Sequence, residues 1–273
     1  GIYSEPVAMG LQKAGIKVSV VNPGCIKGFG RSENIRNKTD NIDAALIARY
    51  CAAAKPALWE PPPAEQRQLR AWSDRLLALK DIRQQECNRI EAHTFAGQTE
   101  LVAHVKQHVT WLDEQIAKLE KDIGDHIDRH PDLKRDADLI TSIPGLGRAT
   151  AAKVLGHLGD VRRFDSAKAL AAFIGVSPSQ RSSGSSVRGR TMMSRVGSST
   201  LRAALYMPGL VARRHNPLLN VFAERLLANG MARKAVIGAV MRKLVHLIYG
   251  VVKSGKPFDP KFLDQRLAIQ DGI

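Results

Sequence analysis

Apolar residues recur at steps of three and four through the middle of the chain, a spacing typical of amphipathic helices. Residues 64–96 predict one long helix, and the residues on its apolar face are Leu69, Trp72, Leu76 and Leu79. Gly97 interrupts the pattern, and a second arm follows. Its apolar positions form an unbroken heptad seam: Val102, Val105, Val109, Leu112, Ile116, Leu119 and Ile123. Two such arms predict an antiparallel helical hairpin or coiled coil, within one chain or between chains, that serves as a spacer or oligomerisation arm.

The first sixty residues mix helical and strand patterns. Residues 4–14 predict a short helix that stops at Gly15, and residues 17–21 predict a buried strand ended by an Asn-Pro-Gly turn. Residues 40–53 predict another helix. Helices combined with a buried strand are typical of an α/β domain, and the proline run at 61–63 marks its end.

Beyond residue 138 the pattern is again helical. Segments with helical spacing are 148–158, 168–174, 201–214, 217–228 and 232–252, with a turn at Asn229-Gly230. The sequence therefore predicts an incomplete α/β fragment, a long helical hairpin and a mainly α-helical domain. We place these parts at residues 1–60, 61–135 and 136–273.

Charge is the strongest compositional signal. The 273 residues carry a formal net charge of +15, with an isoelectric point near 10. No Asp or Glu lies between Asp165 and Glu224. The basic side chains in that stretch are Lys168, Arg181, Arg188, Arg190, Arg195, Arg202, Arg213 and Arg214. Because a merely solvated surface normally mixes both signs of charge, the stretch favours a polyphosphate partner, most simply nucleic acid.

Two further features concern the cellular compartment. No apolar run approaches the length of a membrane span and no signal peptide is present, so we expect a cytoplasmic protein without a membrane partner. Cys25, Cys51 and Cys87 lack the spacing of metal ligands, and we expect them to be small buried side chains in a reducing compartment.

Small hydroxyl residues, glycines and arginines are concentrated from Ser182 to Arg190 and onward to Gly197. This composition disfavours a helix or a central strand. Glycines let backbone N–H groups approach a phosphate, arginines bind its oxygens, and a serine in such a loop can attack phosphorus once a base or metal activates it. A solvated linker is the alternative, but helical segments flank the stretch closely and favour a loop inside a domain.

A pair of carboxylates opens the helix predicted at residue 40. Asp40 and Asp43 are three residues apart and so share a helical face. Paired carboxylates suit Mg²⁺, which prefers oxygen ligands. The alternative is structural, with Asp40 as the N-cap and Asp43 as a favourable acid in the first turn.

The segment Ile143-Pro144-Gly145-Leu146-Gly147 leads into a helix. It resembles the turn of a helix-hairpin-helix motif, in which backbone N–H groups such as those of Gly145 and Gly147 meet a DNA phosphate. An ordinary helix–helix turn is the alternative.

In their order and spacing these motifs resemble the insertion-sequence one-ten transposases, which combine a RuvC-like DEDD nuclease domain with a serine-bearing transposase domain. The matching stretches are 1–6, 20–23, 37–44, 143–147, 172–175, 183–189 and 241–244. The resemblance implies that Asp40 and Asp43 are the last two acids of a Mg²⁺-binding DEDD set and that Ser183 is the nucleophile, covalently linked to DNA. Ser198 stands where the family often has Asn.

The same resemblance implies partners. Besides DNA, it implies a structured RNA encoded by the element and a homo-oligomer, a dimer or tetramer, that pairs the nuclease domain of one chain with the serine domain of another. The expected nucleic-acid contacts are Lys38, Gly145, Gly147, Arg188, Arg190 and Arg195.

The chain opens on Gly1 within a helical pattern, so we expect a fragment whose family Asp and Glu lie upstream. We interpret it as the C-terminal part of a DNA transposase or site-specific recombinase. The alternatives are a truncated, non-catalytic nucleic-acid-binding remnant and a helix-hairpin-helix repair factor. Within the loop, Ser185 and Ser186 are rivals of Ser183, which ranks first only because it aligns with the family nucleophile.

Overall fold

The computed structural model describes residues 4–179, 182–183, 187–188, 191–194 and 196–261. By their contacts the residues fall into two compact units, Gly1–Pro62 and Pro63–Ile273. The predicted hairpin and the C-terminal helices belong to the same unit, so a further domain division near residue 135 stays a prediction.

The first unit contains three helices: α1 (Ser4–Lys13), α2 (Pro23–Ser32) and α3 (Asp40–Ala54). Helix α2 was not predicted, because Asn22-Pro23-Gly24 was expected to end a strand. Those residues begin a helix instead. The Asn22 side chain accepts a hydrogen bond from the Gly24 N–H at 2.8 Å, and Pro23 occupies the first turn, where a missing N–H costs nothing.

The strand predicted at residues 17–21 is wrong. The segment is extended, but within residues 4–62 it joins no β-ladder, and Val20 is 57% exposed. Two contacts hold it: the Trp59 N–H donates to the Val18 carbonyl at 2.7 Å, and Ser19 Oγ donates to the Pro56 carbonyl at 3.1 Å. A strand is defined by its ladder partners, so apolar alternation alone could not produce one here. The described residues are mostly helical, and the predicted α/β class is not seen among them.

The first unit buries little apolar surface. Ala8 and Leu46 are its only buried apolar side chains among residues 4–62, and the backbone passes Leu46 closely at Gly30. Two cysteines that we expected to be buried, Cys25 and Cys51, are exposed, while Cys87 in the second unit is partly buried. That expectation fails because it assumes a thicker core than this unit has.

The second unit begins with the predicted pair of long helices, α4 (Ala64–Phe95) and α5 (Thr99–Arg129), which pack against each other within one chain. The turn between them places Gly97 at φ 70°. Lys80 on α4 pairs with Glu120 on α5 at 2.6 Å, and the seam residue Leu112 is 1% exposed. The helix pair is therefore observed, whereas coiled-coil geometry stays a prediction.

The remaining helices of the second unit follow in order. They are α6 (Pro131–Thr141), α7 (Arg148–Leu158), the 3₁₀ turn Val161–Arg163, α8 (Ala167–Ile174), α9 (Ser199–Ala204), α10 (Tyr206–His215), α11 (Pro217–Ala228) and α12 (Arg233–Ser254). One predicted helix at residues 201–214 is in fact two, because the chain turns at the fully buried Leu205. Gly156 lets α7 cross α4, since a Cβ there would lie 2.9 Å from the Arg70 backbone.

Helix α12 is central to the core of the second unit. Its buried apolar side chains are Val236, Ile237, Val240, Met241, Leu244, Val245, Leu247, Ile248, Val251 and Val252. By length and apolar composition α12 could cross a membrane, which corrects the expectation that no such segment exists. Helices α6, α8, α10 and α11 pack against it, so its composition is explained by burial inside the unit.

The described parts of the serine-rich segment form two short antiparallel ladders, which together we call the ribbon. Strand β1 (Pro178–Ser179) pairs with β4 (Met192–Met193), and β2 (Ser182–Ser183) pairs with β3 (Val187–Arg188), both antiparallel. The ribbon joins α8 to α9, as the closely flanking helical patterns indicate.

Candidate active site

Ser183 is the second of the two residues of strand β2. Its Cα is paired with that of Val187, and Ser182 is paired with Arg188. The rival serines Ser185 and Ser186, and the predicted phosphate contacts Arg190 and Arg195, lie outside the described residues. The structure thus brings Ser183 and Arg188 onto adjoining strands of one ribbon.

The two ends of the ribbon are joined at a pair of glycines. Gly175 has φ 81° and Gly197 has φ 140°, conformations that other residues rarely adopt. A Cβ on Gly197 would lie 2.6 Å from both the Gly175 nitrogen and the Phe173 carbonyl oxygen. The Ser198 N–H donates to that same carbonyl at 2.9 Å. The ribbon therefore leaves the helical body through a closely packed junction.

The ribbon is also attached to the core along one edge. The Ser194 N–H donates to the Ser177 carbonyl at 2.7 Å, next to the β1–β4 ladder. Met193 packs against the core, and a Cβ on Gly238 of α12 would lie 2.5 Å from its Cε. Because α12 is buried, these contacts fix the base of the ribbon against a rigid element.

The predicted carboxylate pair stands at the start of α3, in the first unit. Thr39, not Asp40, is the N-cap, and its Oγ1 accepts a hydrogen bond from the Ile42 N–H at 3.3 Å. Asp40 and Asp43 both fall in the first turn, where they share a helical face as the spacing predicts. Asp40 is exposed and Asp43 is partly exposed. Lys38 precedes the cap and is exposed as well.

These two carboxylates fit a hard divalent cation in chemistry, because both offer oxygen ligands from one face. They are not sufficient alone. Across the described residues, no group of three or more His, Cys, Asp or Glu side chains is arranged to hold a metal ion. The pair can therefore supply part of a metal site, and a complete site needs further oxygen ligands.

The turn predicted to meet DNA has two differently placed glycines. Gly145 has φ 102°, and a Cβ there would lie 2.6 Å from the Ala212 Cβ of α10, so this residue is required for packing. Gly147 is exposed at the start of α7 and has open space around it. Of the two, only Gly147 lies in open space; its contact with a phosphate stays a prediction.

The exposed start of α7 borders a groove of about 1150 Å³ in the second unit. Charged residues on its rim have both signs: Lys80, Lys121, Arg148 and Lys153, with Glu120, Asp125 and Asp128. Arg148 is already paired with Asp128 at 2.6 Å. A rim of mixed charge differs from the one-sign surface expected of a nucleic-acid contact.

A partly buried ion pair in this unit could not be predicted from the sequence. Arg162 donates two hydrogen bonds to the carboxylate of Asp136, at 2.7 and 2.8 Å, and this bidentate contact raises the pKa of Arg162. The two residues are 26 positions apart, on α6 and the 3₁₀ turn. The pair joins α6 to the 3₁₀ turn that precedes α8, the helix from which the ribbon begins.

Comparisons with known proteins identify two matching family models and several relatives. A DEDD transposase model matches residues 1–94, and the model of the Transposase IS116/IS110/IS902 family matches residues 137–224. A pilin gene-inverting protein of Moraxella bovis is 33% identical over 96% of this chain and 80% of its own length. A transposase for insertion sequence element IS1111A from Coxiella burnetii is 26% identical over 73% of this chain and 66% of its own length.

The chain belongs to the IS110/IS116/IS902 family of transposases. The resemblance found in the sequence is thus confirmed, and the activity class is that of a DNA transposase or recombinase. The DEDD match spans Asp40 and Asp43 and implies dependence on a divalent metal, and the second match spans Ser183.

Proposed function

We propose that this transposase cuts and rejoins DNA with Ser183 as its nucleophile. The observation that carries the proposal is the position of Ser183 in the β2–β3 ladder of a ribbon whose β1–β4 base is packed against α12. A nucleophile has to be held within about 0.5 Å of its productive position, and a ribbon fixed at both ends can do this better than a free loop.

The reaction is a transesterification. The Ser183 hydroxyl oxygen attacks phosphorus, the bond from phosphorus to one deoxyribose oxygen breaks, and the hydroxyl proton passes to that leaving oxygen. The DNA strand is then joined to the enzyme as a phosphoserine ester. Because one ester replaces another, the reverse attack by a DNA hydroxyl rejoins the strand without an external energy source. Arg188, on the adjoining strand, supplies positive charge for the phosphate.

Asp40 and Asp43 would hold the divalent cation, Mg²⁺, together with further oxygen ligands. A cation bound there supplies Lewis-acid polarisation of the scissile phosphate. The residues of this chain contribute the two carboxylates from the first turn of α3, and Lys38 lies close to them in sequence as a candidate contact for the DNA backbone.

A covalent adduct tests the nucleophile. A labelled duplex carrying the genomic sequences that flank the gene is incubated with the protein and Mg²⁺, and denaturing electrophoresis then detects the adduct. Ser183→Ala should abolish the adduct but retain DNA binding, because it removes only the attacking oxygen. Ser182→Ala is the matched control on the same strand. An adduct that survives Ser183→Ala but not Ser185→Ala or Ser186→Ala would assign the reaction to a different serine.

The carboxylates are tested in the same assay. Asp43→Asn should block adduct formation, because a neutral amide is a poor ligand for Mg²⁺. A matched control is Glu33→Gln, an acid of the same unit that instead pairs with Arg49 at 2.9 Å. Isothermal titration with Mg²⁺ alone gives a second readout, since Asp43→Asn should weaken cation binding whether or not DNA is cut.

The partners follow from the family. The name of the Moraxella bovis relative describes inversion of a pilin gene, so we propose that this chain also rearranges a defined DNA segment. We further propose a structured RNA encoded by the element and assembly into a homo-oligomer. Phe95, 97% exposed beside the turn of the helix pair, supports an oligomer contact there. Phe95→Ser should lower the mass seen by sedimentation, whereas Leu58→Ser, at an exposed site of the first unit, should not.

A second candidate is a nucleic-acid-binding protein that does not cut. It is favoured by the lack of a third metal ligand beside Asp40 and Asp43 in the described part of the chain. DNA binding without any adduct from the unaltered protein would support this second candidate and contradict the first.

A further inference from the structure

We propose that Lys168, Arg242 and Lys243 form a phosphate-binding site for the backbone of nucleic acid, on the surface where α8 meets α12. This site lies apart from the Ser183 ribbon and would hold DNA during the reaction. The inference rests on the proposed action on DNA. It concerns residues that lie in a matching stretch (241–244) or in the basic stretch (Lys168) but were not among the expected nucleic-acid contacts.

The three side chains come from two helices that pack together. Lys168 lies in the first turn of α8 and is exposed, whereas Arg242 and Lys243 lie near the middle of α12 and are partly exposed. The Lys243 Nζ stands 5.2 Å from the ring centroid of Phe222 on α11, a cation–π contact that orients its ammonium group. The cations thus belong to a rigid part of the protein.

The partly buried side chain of His246 lies within the electrostatic influence of all three cations. His246 follows Arg242 by one turn of α12, and its Nε2 is buried without a hydrogen-bond partner. Burial, as the largest cause, and then the charges of Arg242, Lys243 and Lys168 together lower the pKa of His246 to about 4. No carboxylate is among these influences. The described surface beside His246 is therefore positive.

Several other cations of this unit have acidic partners. Lys80 pairs with Glu120, Arg148 with Asp128, and Arg213 with Glu224 at 3.3 Å. Within residues 4–179 and the other described segments, Lys168 and Arg242 make no such ion pair with an acid. Clustered like charges repel one another, and a bound anion relieves that repulsion. A phosphodiester fits, because Arg presents a planar fork to its oxygens and Lys adds a point charge.

The first test is the salt dependence of DNA binding, measured with the full chain and a random-sequence duplex. Lys168→Gln and Arg242→Gln should each weaken binding and lower the slope of log affinity against log salt by about one unit, since one phosphate contact is lost. Lys256→Gln, just beyond the C-terminal end of α12, removes the same charge away from the cluster and should leave the slope unchanged. A structured RNA hairpin tested in parallel distinguishes which nucleic acid provides the phosphate.

The second test needs no variant. A nuclear magnetic resonance titration follows the imidazole of His246 with and without the duplex. An anion at the site would stabilise the protonated ring, so the pKa of His246 should rise on binding. If the unaltered protein binds DNA but its pKa stays constant and the Lys168 and Arg242 variants keep the full slope, this site is refuted while DNA binding stands. If the unaltered protein binds neither nucleic acid, the proposed function fails as well.

Discussion

The two units of this transposase hold their candidate catalytic groups in different ways. In the second unit, Ser183 is carried by a ribbon whose base contacts the buried helix α12. In the first unit, Asp40 and Asp43 stand in the exposed first turn of α3, over a core in which Leu46 is the only large buried apolar side chain among residues 4–62. One group depends on tertiary packing, and the other on the start of a helix.

This difference has a consequence for stability. Hydrophobic stabilisation grows with the apolar area removed from water, so the second unit should resist unfolding much better than the first. The first unit contains Trp59 and no histidine, while the second contains Trp72, Trp111 and all eight histidines. Trp59 fluorescence can therefore report on the first unit alone, and the titration of histidines affects only the second unit.

The largest expected effect compares one leucine from each core. Leu244→Ala in α12 should lower the free energy of unfolding of the second unit by about 3–5 kcal/mol, because Leu244 is fully buried among apolar neighbours. Leu46→Ala should cost only about 2 kcal/mol, because few groups surround the cavity it leaves. Urea titrations followed by circular dichroism, and by Trp59 fluorescence in a Trp72→Phe, Trp111→Phe background, measure the two. Equal shifts in both signals would show that the units unfold together.

The next effect concerns the junction of the ribbon. Gly197→Ala should cost about 1–3 kcal/mol through backbone strain, with further loss because the Cβ would overlap the Phe173 carbonyl. We expect adduct formation to fail while helicity is kept. Gly250→Ala in α12 is the matched control, since nothing lies within 4 Å of its Cβ, and it should stabilise by up to about 1 kcal/mol. Normal adduct formation by the Gly197 variant would show that the junction does not position Ser183.

The helices of the second unit could be predicted because their apolar spacing is long and regular. The pattern placed α4, α11 and α12 within about two residues of their observed bounds, and the seam from Val102 to Ile123 lies inside α5. The pattern failed at α2, because Asn22-Pro23 can begin a helix as well as end a strand. It also failed at residues 17–21, because the alternation of apolar residues there predicted a strand, and a strand needs ladder partners from elsewhere in the chain.

The candidate site was predictable only in part, for a related reason. The carboxylate pair follows from local spacing, and Ser183 from resemblance to a family. The glycine junction, the Asp136–Arg162 pair and the cluster around His246 depend on residues far apart in sequence. Single-sequence reasoning has no signal for such contacts, and they are the features that support the second unit.

A smaller effect compares two helix caps. Thr39→Ala removes the acceptor for the Ile42 N–H at the start of α3, and Ser166→Ala removes the acceptor for the Ala169 N–H at the start of α8. Each should cost about 1 kcal/mol. Only the change at Thr39 should also weaken Mg²⁺ binding in a titration, because α3 lacks the tertiary packing that holds α8 in place. Equal Mg²⁺ affinity in the Thr39 variant would contradict the view that the cap positions the carboxylates.

A further effect is the pH dependence contributed by His246. Its pKa in the folded chain is lowered to about 4 by burial and by Arg242, Lys243 and Lys168, whereas an unfolded histidine titrates near 6.5. Between these values the unfolded chain binds more protons than the folded one. The contribution to stability is therefore fully present above pH about 6.5 and is lost as the pH falls towards about 4.

His246→Gln should flatten part of this acid-induced loss, and the change should appear only in the transition of the second unit. The reason is that glutamine keeps a polar, uncharged side chain of similar size at every pH, so protonation no longer favours the unfolded state. His215→Gln, at the end of α10, is a comparison that removes a histidine outside this cluster. The measurement is a set of urea titrations between pH about 4 and pH about 7, with Trp59 fluorescence recorded as the signal of the first unit, which has no histidine to titrate. If the His246 variant loses stability on acidification as steeply as the unaltered protein, another group carries the dependence, and the charge cluster of α8 and α12 acts on His246 less strongly than we infer.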